Sequence, residues 1–388
     1  ADPNEVWILE MMGCGGDKKQ KVVWVAVRIP DGMISGHANQ ARIGQFSTYN
    51  TDVMTSKNCI KYAREKGWFN GKDKDFNWKM VYAAPTFGGR RFCDARVWSF
   101  FNHFKDMSRY LPWALGKDKN AEEMPLWIQP DRKLTLADMQ MSMRDHYEGT
   151  ALSTLNDCGQ GLWEMPYRPT PLTFEYNGKK YFTERPASTQ QSAFSYVCQL
   201  RSWLPREIGG IIWFANDDSN MAAYVPIYCS NVERAECFNT PGADAVTFSD
   251  KNAFWVCNWV ANMVYPRYSQ MFPSLKEVRD RLEKGYAANQ KLIEERAQQL
   301  YQNDKAAAIK LLNDYSVAKS NEMLAEWKKL ATYLIVKYND MAVKPEKDGK
   351  FERTETGWGA RPARPGMSQA ARKALIEQTG DKFEVPAE

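Results

Sequence analysis

The stretch WVAVRIPDGMISGHANQARIG, residues 24–44, decides the fold of the first part of this chain. Valine alternates with mixed side chains up to Arg28, which is the two-residue period of a half-buried β-strand. Pro-Asp-Gly follows at residues 30–32, where proline fixes φ and glycine supplies a positive φ, so the chain turns back on itself. We therefore predict a returning strand over residues 33–38 that ends at Asn39.

Strand and helix signals continue on both sides of this turn. Residues 5–12 and 21–29 alternate like strands and are joined by a glycine-rich turn at 13–17, so the front of the chain is predicted to be an antiparallel meander. Later strand-like segments cover 194–201, 211–214 and 222–228, and helical ones cover 51–66, 92–110 and 254–265. This mixture predicts the α+β fold class, with an antiparallel sheet core followed by helices.

Three regions are predicted along the chain. Residues 1–273 carry the strands and every candidate site residue, and we interpret them as a catalytic domain. Residues 274–343 have apolar side chains at helical spacing and are predicted to form a helical extension of two or three helices. Residues 344–388 are rich in proline and glycine and are predicted to form an extended arm with a short terminal helix over 368–378.

Composition excludes several classes of protein. The 388 residues are 44% hydrophobic and 26% charged, as in ordinary globular domains. The 52 basic and 47 acidic residues are mixed along the chain, so neither a nucleic-acid-binding stripe nor an acidic tail is predicted. The longest apolar run, residues 209–215, is far shorter than the roughly 20 residues of a membrane helix.

Cysteine and histidine usage narrows the chemistry further. None of the eight cysteines lies in a C-x-x-C pair, so we predict no zinc site. Cys198 and Cys257 lie in apolar runs and are predicted to be buried thiols. Cys229 and Cys237 flank a short loop and would pair only in an oxidising compartment, which the sequence does not decide. No G-x-S-x-G elbow accompanies any of the three histidines.

The most informative polar residue is Asn39. A side-chain amide at a strand end can donate a fixed N–H to the oxyanion that forms when an amide is attacked, although a plain strand-end cap is the alternative. His37 is predicted on the same sheet face, and residues 90–96 offer guanidinium groups at the start of a helix. Asp217-Asp218 follows a strand and is compatible with a cation site, an amine-binding pair or a polar turn.

These residues fall in a recognisable pattern. The matching stretches include ADPNEVWILEMMG (1–13), residues 24–44, RRFCDARVW (90–98) and the segment from ERPAST to FANDD (184–218). With these motifs the chain resembles the cysteine dipeptidases of the N-terminal-nucleophile (Ntn) hydrolase superfamily, relatives of penicillin V acylase and choloylglycine hydrolase. The resemblance runs from residue 1 to about residue 340.

The resemblance implies a fold and a mechanism. It implies a four-layer αββα sandwich, dipeptide substrates, and a cysteine nucleophile whose own free α-amine takes up the thiol proton. It implies no metal and no organic cofactor. By the same resemblance Asn39 is the oxyanion-hole amide, and Arg91 is the best match to the family's active-site arginine, with Arg96 second. His37, Asp217 and Asp218 are the candidate substrate-binding residues.

The sequence departs from this family at the nucleophile. The family's cysteine precedes the strand that begins in this chain near Val6, and Ala1 has no nucleophilic side chain. Cys14 lies in a hairpin turn and has no free α-amine. We therefore expect a processed product or part of a longer polypeptide, in which a missing N-terminal segment or another chain supplies the nucleophile. This chain alone is expected to be inactive.

Three hypotheses for the function remain open at this point. The first is a dipeptidase, the second is a hydrolase of N-acyl amides, and the third is a non-catalytic scaffold, since the nucleophile is absent. The helical region from 274 to 388 is expected to mediate homo-oligomerisation. No nucleic-acid partner and no membrane span are expected. The resemblance favours a secreted or periplasmic location over a cytoplasmic one.

Overall fold

The computed structural model describes residues 4–16 and 22–386, which form two compact units. Described residues up to 138, with 169–187, form the first unit; residues 139–168 and those from 188 onward form the second. Helices are α1 (Cys59–Glu65), α2 (Trp78–Tyr82), α3 (Ala95–Asn102), α4 (Leu111–Leu115), α5 (Leu136–Ser142), α6 (Arg206–Gly209), α7 (Ala253–Val264), α8 (Tyr268–Tyr301), α9 (Lys305–Tyr338) and α10 (Gln369–Thr379). Strands are β1 (Trp7–Gly13), β2 (Val22–Arg28), β3 (Ile34–Ser35), β4 (Val53–Thr55), β5 (Trp127–Ile128), β6 (Thr173–Tyr176), β7 (Lys179–Phe182), β8 (Phe194–Leu200), β9 (Gly210–Asn216), β10 (Val225–Tyr228), β11 (Glu346–Lys347) and β12 (Lys350–Phe351). The predicted α+β class is confirmed.

The first unit is built on the predicted hairpin. Strands β1 and β2 pair antiparallel from Trp7 opposite Arg28 to Gly13 opposite Val22, and β4 adds to the far side of β2. The inward face of β2 carries fully or nearly fully buried valines, as its alternation predicts. The predicted turn at 13–17 is described only as far as residue 16, and Ala1 also lies outside the described residues.

The predicted returning strand is wrong in length and in partner. Strand β3 has two residues and pairs with β5, not with β2. Directly after β3 the chain packs closely against α3 at Gly36, where a Cβ would lie 3.0 Å from Val97 and 3.2 Å from Phe100. Asn39 therefore does not end a strand, and His37 does not share a sheet face with it.

The second unit combines a three-stranded antiparallel sheet, in the order β10–β9–β8, with the long helices. Helices α8 and α9 form a helical hairpin closed at residues 302–304, as the helical spacing predicts. The predicted boundary at 273/274 falls inside α8, so the two compact units divide the chain differently from the predicted domains. The predicted arm contains the short β11–β12 hairpin, and α10 is the predicted terminal helix.

All eight cysteines lie in the described residues and are free thiols. Cys257 is buried, as predicted. Cys198 is exposed, because it lies on the outward face of β8, where buried and exposed residues alternate. Cys229 and Cys237 do not pair. Within the described residues, no helix combines the length and the apolar character needed to cross a membrane.

Two adjacent carboxyl groups are completely buried in the second unit. Asp217 has a φ of +65°, accepts a hydrogen bond from Asn258 Nδ2 at 3.1 Å, and has no partner for Oδ2 among the described residues. Asp218 accepts hydrogen bonds from three buried hydroxyl groups, those of Tyr167, Ser188 and Tyr265. Burial, reinforced by the neighbouring Asp218, raises the pKa of the Asp217 carboxyl to about 7.

We expect this buried carboxyl to make the second unit less stable as pH rises. The unfolded chain releases the Asp217 proton near pH 3.9 and the folded chain only near 7, so ionisation favours unfolding between about pH 4 and 7. Asp217→Asn keeps the acceptor for Asn258 and removes the ionisation. In urea unfolding, its stability gain over wild type should grow by about 1–3 kcal/mol from pH 5 to pH 7.5.

The exposed Asp314→Asn serves as the matched control, because that carboxyl pairs with Lys310 on the surface of α9. Its effect on the unfolding free energy should be nearly the same at both pH values. Equal gains for Asp217→Asn at pH 5 and pH 7.5 would contradict the proposed ionisation.

Candidate functional site

Asn39 lies in an exposed bend of the first unit, with a φ of +59°. Its Oδ1 accepts a hydrogen bond from Arg96 Nη2 at 2.9 Å. A guanidinium group has donors only, so the amide atom that faces it must be the oxygen. The Nδ2 group of Asn39 is therefore turned away from Arg96, which fixes the direction in which this amide can donate.

Arg96 is itself held by the segment that precedes its helix. Its Nε donates to the backbone oxygen of Phe92 at 2.7 Å. Residues Gly89–Asp94 form a π-helical segment that runs directly into α3. Such segments are rare and recur at functional sites, because the extra residue per turn redirects side chains. The sequence predicted only an ordinary helix beginning at residue 92.

The residue after Asn39 contacts the first turn of this π-helical segment. Gln40 donates from Nε2 to the backbone oxygen of Ala83 at 2.6 Å. A Cβ at Gly89 would lie 2.3 Å from Gln40 Oε1, so glycine allows the two segments to approach this closely. Gln40 therefore contacts the first turn of the π-helical segment. Asn39 contacts Arg96, which follows the last turn of the same segment.

One buried carboxylate fixes the loop that carries Asn39. Glu10 is 5% exposed, and its Oε1 accepts from the backbone N–H groups of Arg42 at 2.5 Å and Ile43 at 3.0 Å. His37 Nε2 lies 3.0 Å from the same oxygen. The loop from 37 to 43 is therefore anchored at both ends by Glu10. These hydrogen bonds offset the cost of burying Oε1, whereas Oε2 is buried with no hydrogen-bond partner among the described residues.

The Arg42 side chain links this loop to the π-helical segment. It donates to the backbone oxygens of Gly36 at 2.8 Å and Pro125 at 2.6 Å, and its Nε is 4.0 Å from Asp94 Oδ1. Asp94 also accepts a hydrogen bond from Trp113 Nε1 at 2.8 Å. Burial lowers the pKa of Arg42, although the nearby carboxylates act to raise it. Burial raises the pKa of Asp94.

Arg91 has a different partner from Arg96. Its Nη2 donates to Glu184 Oε1 at 2.5 Å, and both side chains are largely buried. Of the two arginines that the sequence offered, Arg96 is the one in contact with Asn39. The roles of both in catalysis remain predictions.

The remaining predicted residues divide between the units. His37 belongs to the Asn39 loop through Glu10, whereas Asp217 and Asp218 belong to the buried network of the second unit. Their predicted role in substrate binding remains a prediction. Within residues 4–16 and 22–386, no group of three or more His, Cys, Asp and Glu side chains is arranged to hold a metal ion.

Sequence reasoning missed three residues that build this site. Glu10 had a usable signal, because it occupies the inward face of β1 between Ile8 and Met12, where an apolar residue is expected. Gln40 and Glu184 had none, since each acts through a partner distant in sequence: Gln40 through Ala83 and Gly89, and Glu184 through Arg91.

Comparison with known proteins supports the likeness to dipeptidases seen in the sequence. The chain is 24% identical over 268 residues to a probable dipeptidase of Latilactobacillus sakei, covering 69% of this chain and 49% of that protein. It is 26% identical over 231 residues to probable dipeptidase B of Lactococcus lactis subsp. lactis (59% and 42%) and 21% identical over 263 residues to dipeptidase A of Lactobacillus helveticus (68% and 48%). The chain thus spans about half the length of these curated relatives. Residues 1–281 match the family described as Peptidase family C69, and the chain belongs to that family.

Proposed function

We propose that this chain is the oxyanion-binding part of a cysteine-type dipeptidase of the Ntn hydrolase superfamily. The observation that carries the proposal is the Asn39 amide, whose Oδ1 is bound by Arg96 so that Nδ2 is turned outward. A peptidase needs a preorganised donor of this kind where negative charge develops on the substrate carbonyl oxygen. Family membership and the names of the relatives support the choice of peptide bonds as the substrate.

The proposed reaction proceeds through an acyl-enzyme. A cysteine thiolate attacks the carbonyl carbon of the peptide bond, and the oxyanion that forms accepts a hydrogen bond from Asn39 Nδ2. The C–N bond breaks, the amine leaves with a proton, and water then hydrolyses the thioester. The α-amine of the nucleophilic cysteine accepts the thiol proton. The step requires no metal or organic cofactor.

The nucleophile is proposed to lie outside these 388 residues. Cys14 follows β1, is 5% exposed, and its thiol lies 3.9 Å from the backbone oxygen of Met12. Cys93 lies within the π-helical segment and is part of a continuous chain, so it has no free α-amine. From the resemblance to the Ntn hydrolases we infer a nucleophile on a segment that precedes β1.

Dipeptides are the proposed substrates because several relatives carry that name, including proteins of three different genera. Hydrolysis of N-acyl amides would use the same oxyanion donor. Side-by-side assays of dipeptides and N-acyl amides separate the two, and turnover of N-acyl amides alone would contradict the dipeptidase proposal.

Replacing the oxyanion donor should slow the reaction without unfolding the protein. In the active protein, Asn39→Ala is expected to lower kcat for dipeptide hydrolysis about 10²–10³-fold, because the transition state loses one fixed N–H. The measurement is steady-state kinetics, with urea unfolding to verify the fold.

Asn50→Ala is the matched control, since Asn50 is an exposed amide in a turn of the same unit and accepts a hydrogen bond from the Asp52 N–H at 2.9 Å. It should leave kcat unchanged. An unchanged kcat in Asn39→Ala would remove Asn39 from the site.

Covalent trapping tests where the nucleophile lies. The active protein is treated with a thiol-directed alkylating dipeptide analogue, and the modified residue is located by peptide mass spectrometry. We expect inactivation to follow modification of a cysteine that is none of the eight in this sequence. Inactivation that follows modification of Cys14 or Cys93 would contradict the proposed origin of the nucleophile.

A further inference from the structure

Three phenylalanines form a cluster beside the π-helical segment of the first unit. The rings of Phe92 and Phe182 stack nearly parallel, with centroids 5.2 Å apart and planes inclined by 8°. Phe87 lies against Phe182 at 5.4 Å and remains 40% exposed. Phe92 and Phe182 are only partly buried, so the cluster, which we name the Phe87 cluster, presents apolar ring surface to solvent.

This cluster is continuous with the candidate site. Phe92 contributes the backbone oxygen that binds Arg96 Nε, and the same guanidinium binds Asn39. Gly88 and Gly89 are successive glycines that pack against different partners, the Phe182 ring and the Gln40 side chain. A Cβ at Gly88 would lie 3.2 Å from the Phe182 ring, and one at Gly89 would meet Gln40, the neighbour of Asn39. The Phe182 ring and the neighbour of Asn39 therefore both contact this one short segment.

An ion pair connects the two segments that carry Phe92 and Phe182. Phe182 ends β7, and Glu184 follows two residues later. The Glu184 carboxylate accepts from Arg91 Nη2 at 2.5 Å, with side-chain exposures of 10% and 15%. This buried pair joins the end of the β6–β7 hairpin to the residue that precedes Phe92. The two segments that carry the Phe92–Phe182 stack are thus joined by a buried ion pair.

We propose that the Phe87 cluster is a specificity subsite, which binds the apolar side chain of a dipeptide whose peptide bond lies at Asn39. The inference rests on the proposed function. Ring faces offer dispersion contacts and exclude water, and they offer no hydrogen bond to a polar or ionised side chain. The occupant is therefore a leucine-like or phenylalanine-like side chain.

The test compares dipeptides that differ only in side-chain size. Ala-Gly and Leu-Gly probe the first position, and Gly-Ala and Gly-Leu probe the second. In the active protein we expect Phe182→Ala to lower kcat/KM for one of the leucine dipeptides about tenfold or more, while its alanine counterpart changes less than about threefold. Phe182→Leu keeps apolar volume, so its decrease in kcat/KM for the leucine dipeptide should lie between these two values.

Phe174→Ala is the matched control. Phe174 lies on the same hairpin and is 48% exposed, but it stacks on Tyr181 and not on a ring of the cluster. It should leave the leucine preference of the wild-type protein intact. Urea unfolding of all three variants separates loss of the subsite from loss of the fold.

Binding supplies a readout that does not depend on hydrolysis. Isothermal titration calorimetry with the same four peptides, each carrying a CH2–NH linkage in place of the peptide bond, should show tighter binding of a leucine analogue. Phe182→Ala should abolish that difference. No preference for leucine in the wild-type protein, or a preference that survives Phe182→Ala, would overturn the subsite. Absence of dipeptide hydrolysis with a leucine preference in binding would overturn the proposed function alone.

Discussion

The geometry of the candidate site depends on one buried carboxylate oxygen, Glu10 Oε1. It accepts from the backbone N–H groups of Arg42 and Ile43 and lies 3.0 Å from His37 Nε2, so it anchors both ends of the loop that contains Asn39. Without these bonds two buried N–H groups would lose their acceptor, which costs about 1–3 kcal/mol for each unsatisfied group. These bonds hold the loop over residues 37–43, which follows the two-residue strand β3, against the sheet that contains Glu10.

The second constraint acts on the amide itself. Fixing a loop does not fix which end of an asparagine side chain points outward, because the two ends have nearly the same shape. Arg96 makes that choice, since it can only donate, and its own orientation is set by the backbone oxygen of Phe92. The π-helical segment therefore matters chemically, because it presents both the oxygen that orients Arg96 and the ring of the Phe87 cluster.

The sequence predicted elements that depend on short-range periodicity, and it missed contacts between residues far apart in the chain. The hairpin of β1 and β2, the helical region after residue 274 and the terminal helix follow from short-range periodicity. Asn39 was found through its motif, yet its setting was wrong, because β3 pairs with β5 more than ninety residues later and no local pattern encodes that pairing. Arg91 was preferred over Arg96 because Arg91-Phe92 is the better match to the family's Arg-Phe pair. The contacts that distinguish the two arginines, with Glu184 and with Asn39, join residues distant in sequence, and the catalytic roles of both stay predictions. The αββα layering, the nucleophile and the roles of Asp217 and Asp218 remain predictions.

The central claim is that Arg96 acts on catalysis through Asn39, and a double-mutant cycle on kcat tests it most directly. Arg96→Met removes every donor and keeps an unbranched side chain, and it is combined with Asn39→Ala in the active protein. If Arg96 serves to orient the amide, the double variant should be no slower than Asn39→Ala alone, within about threefold. Losses that multiply in the double variant would show that Arg96 acts independently and would contradict the account.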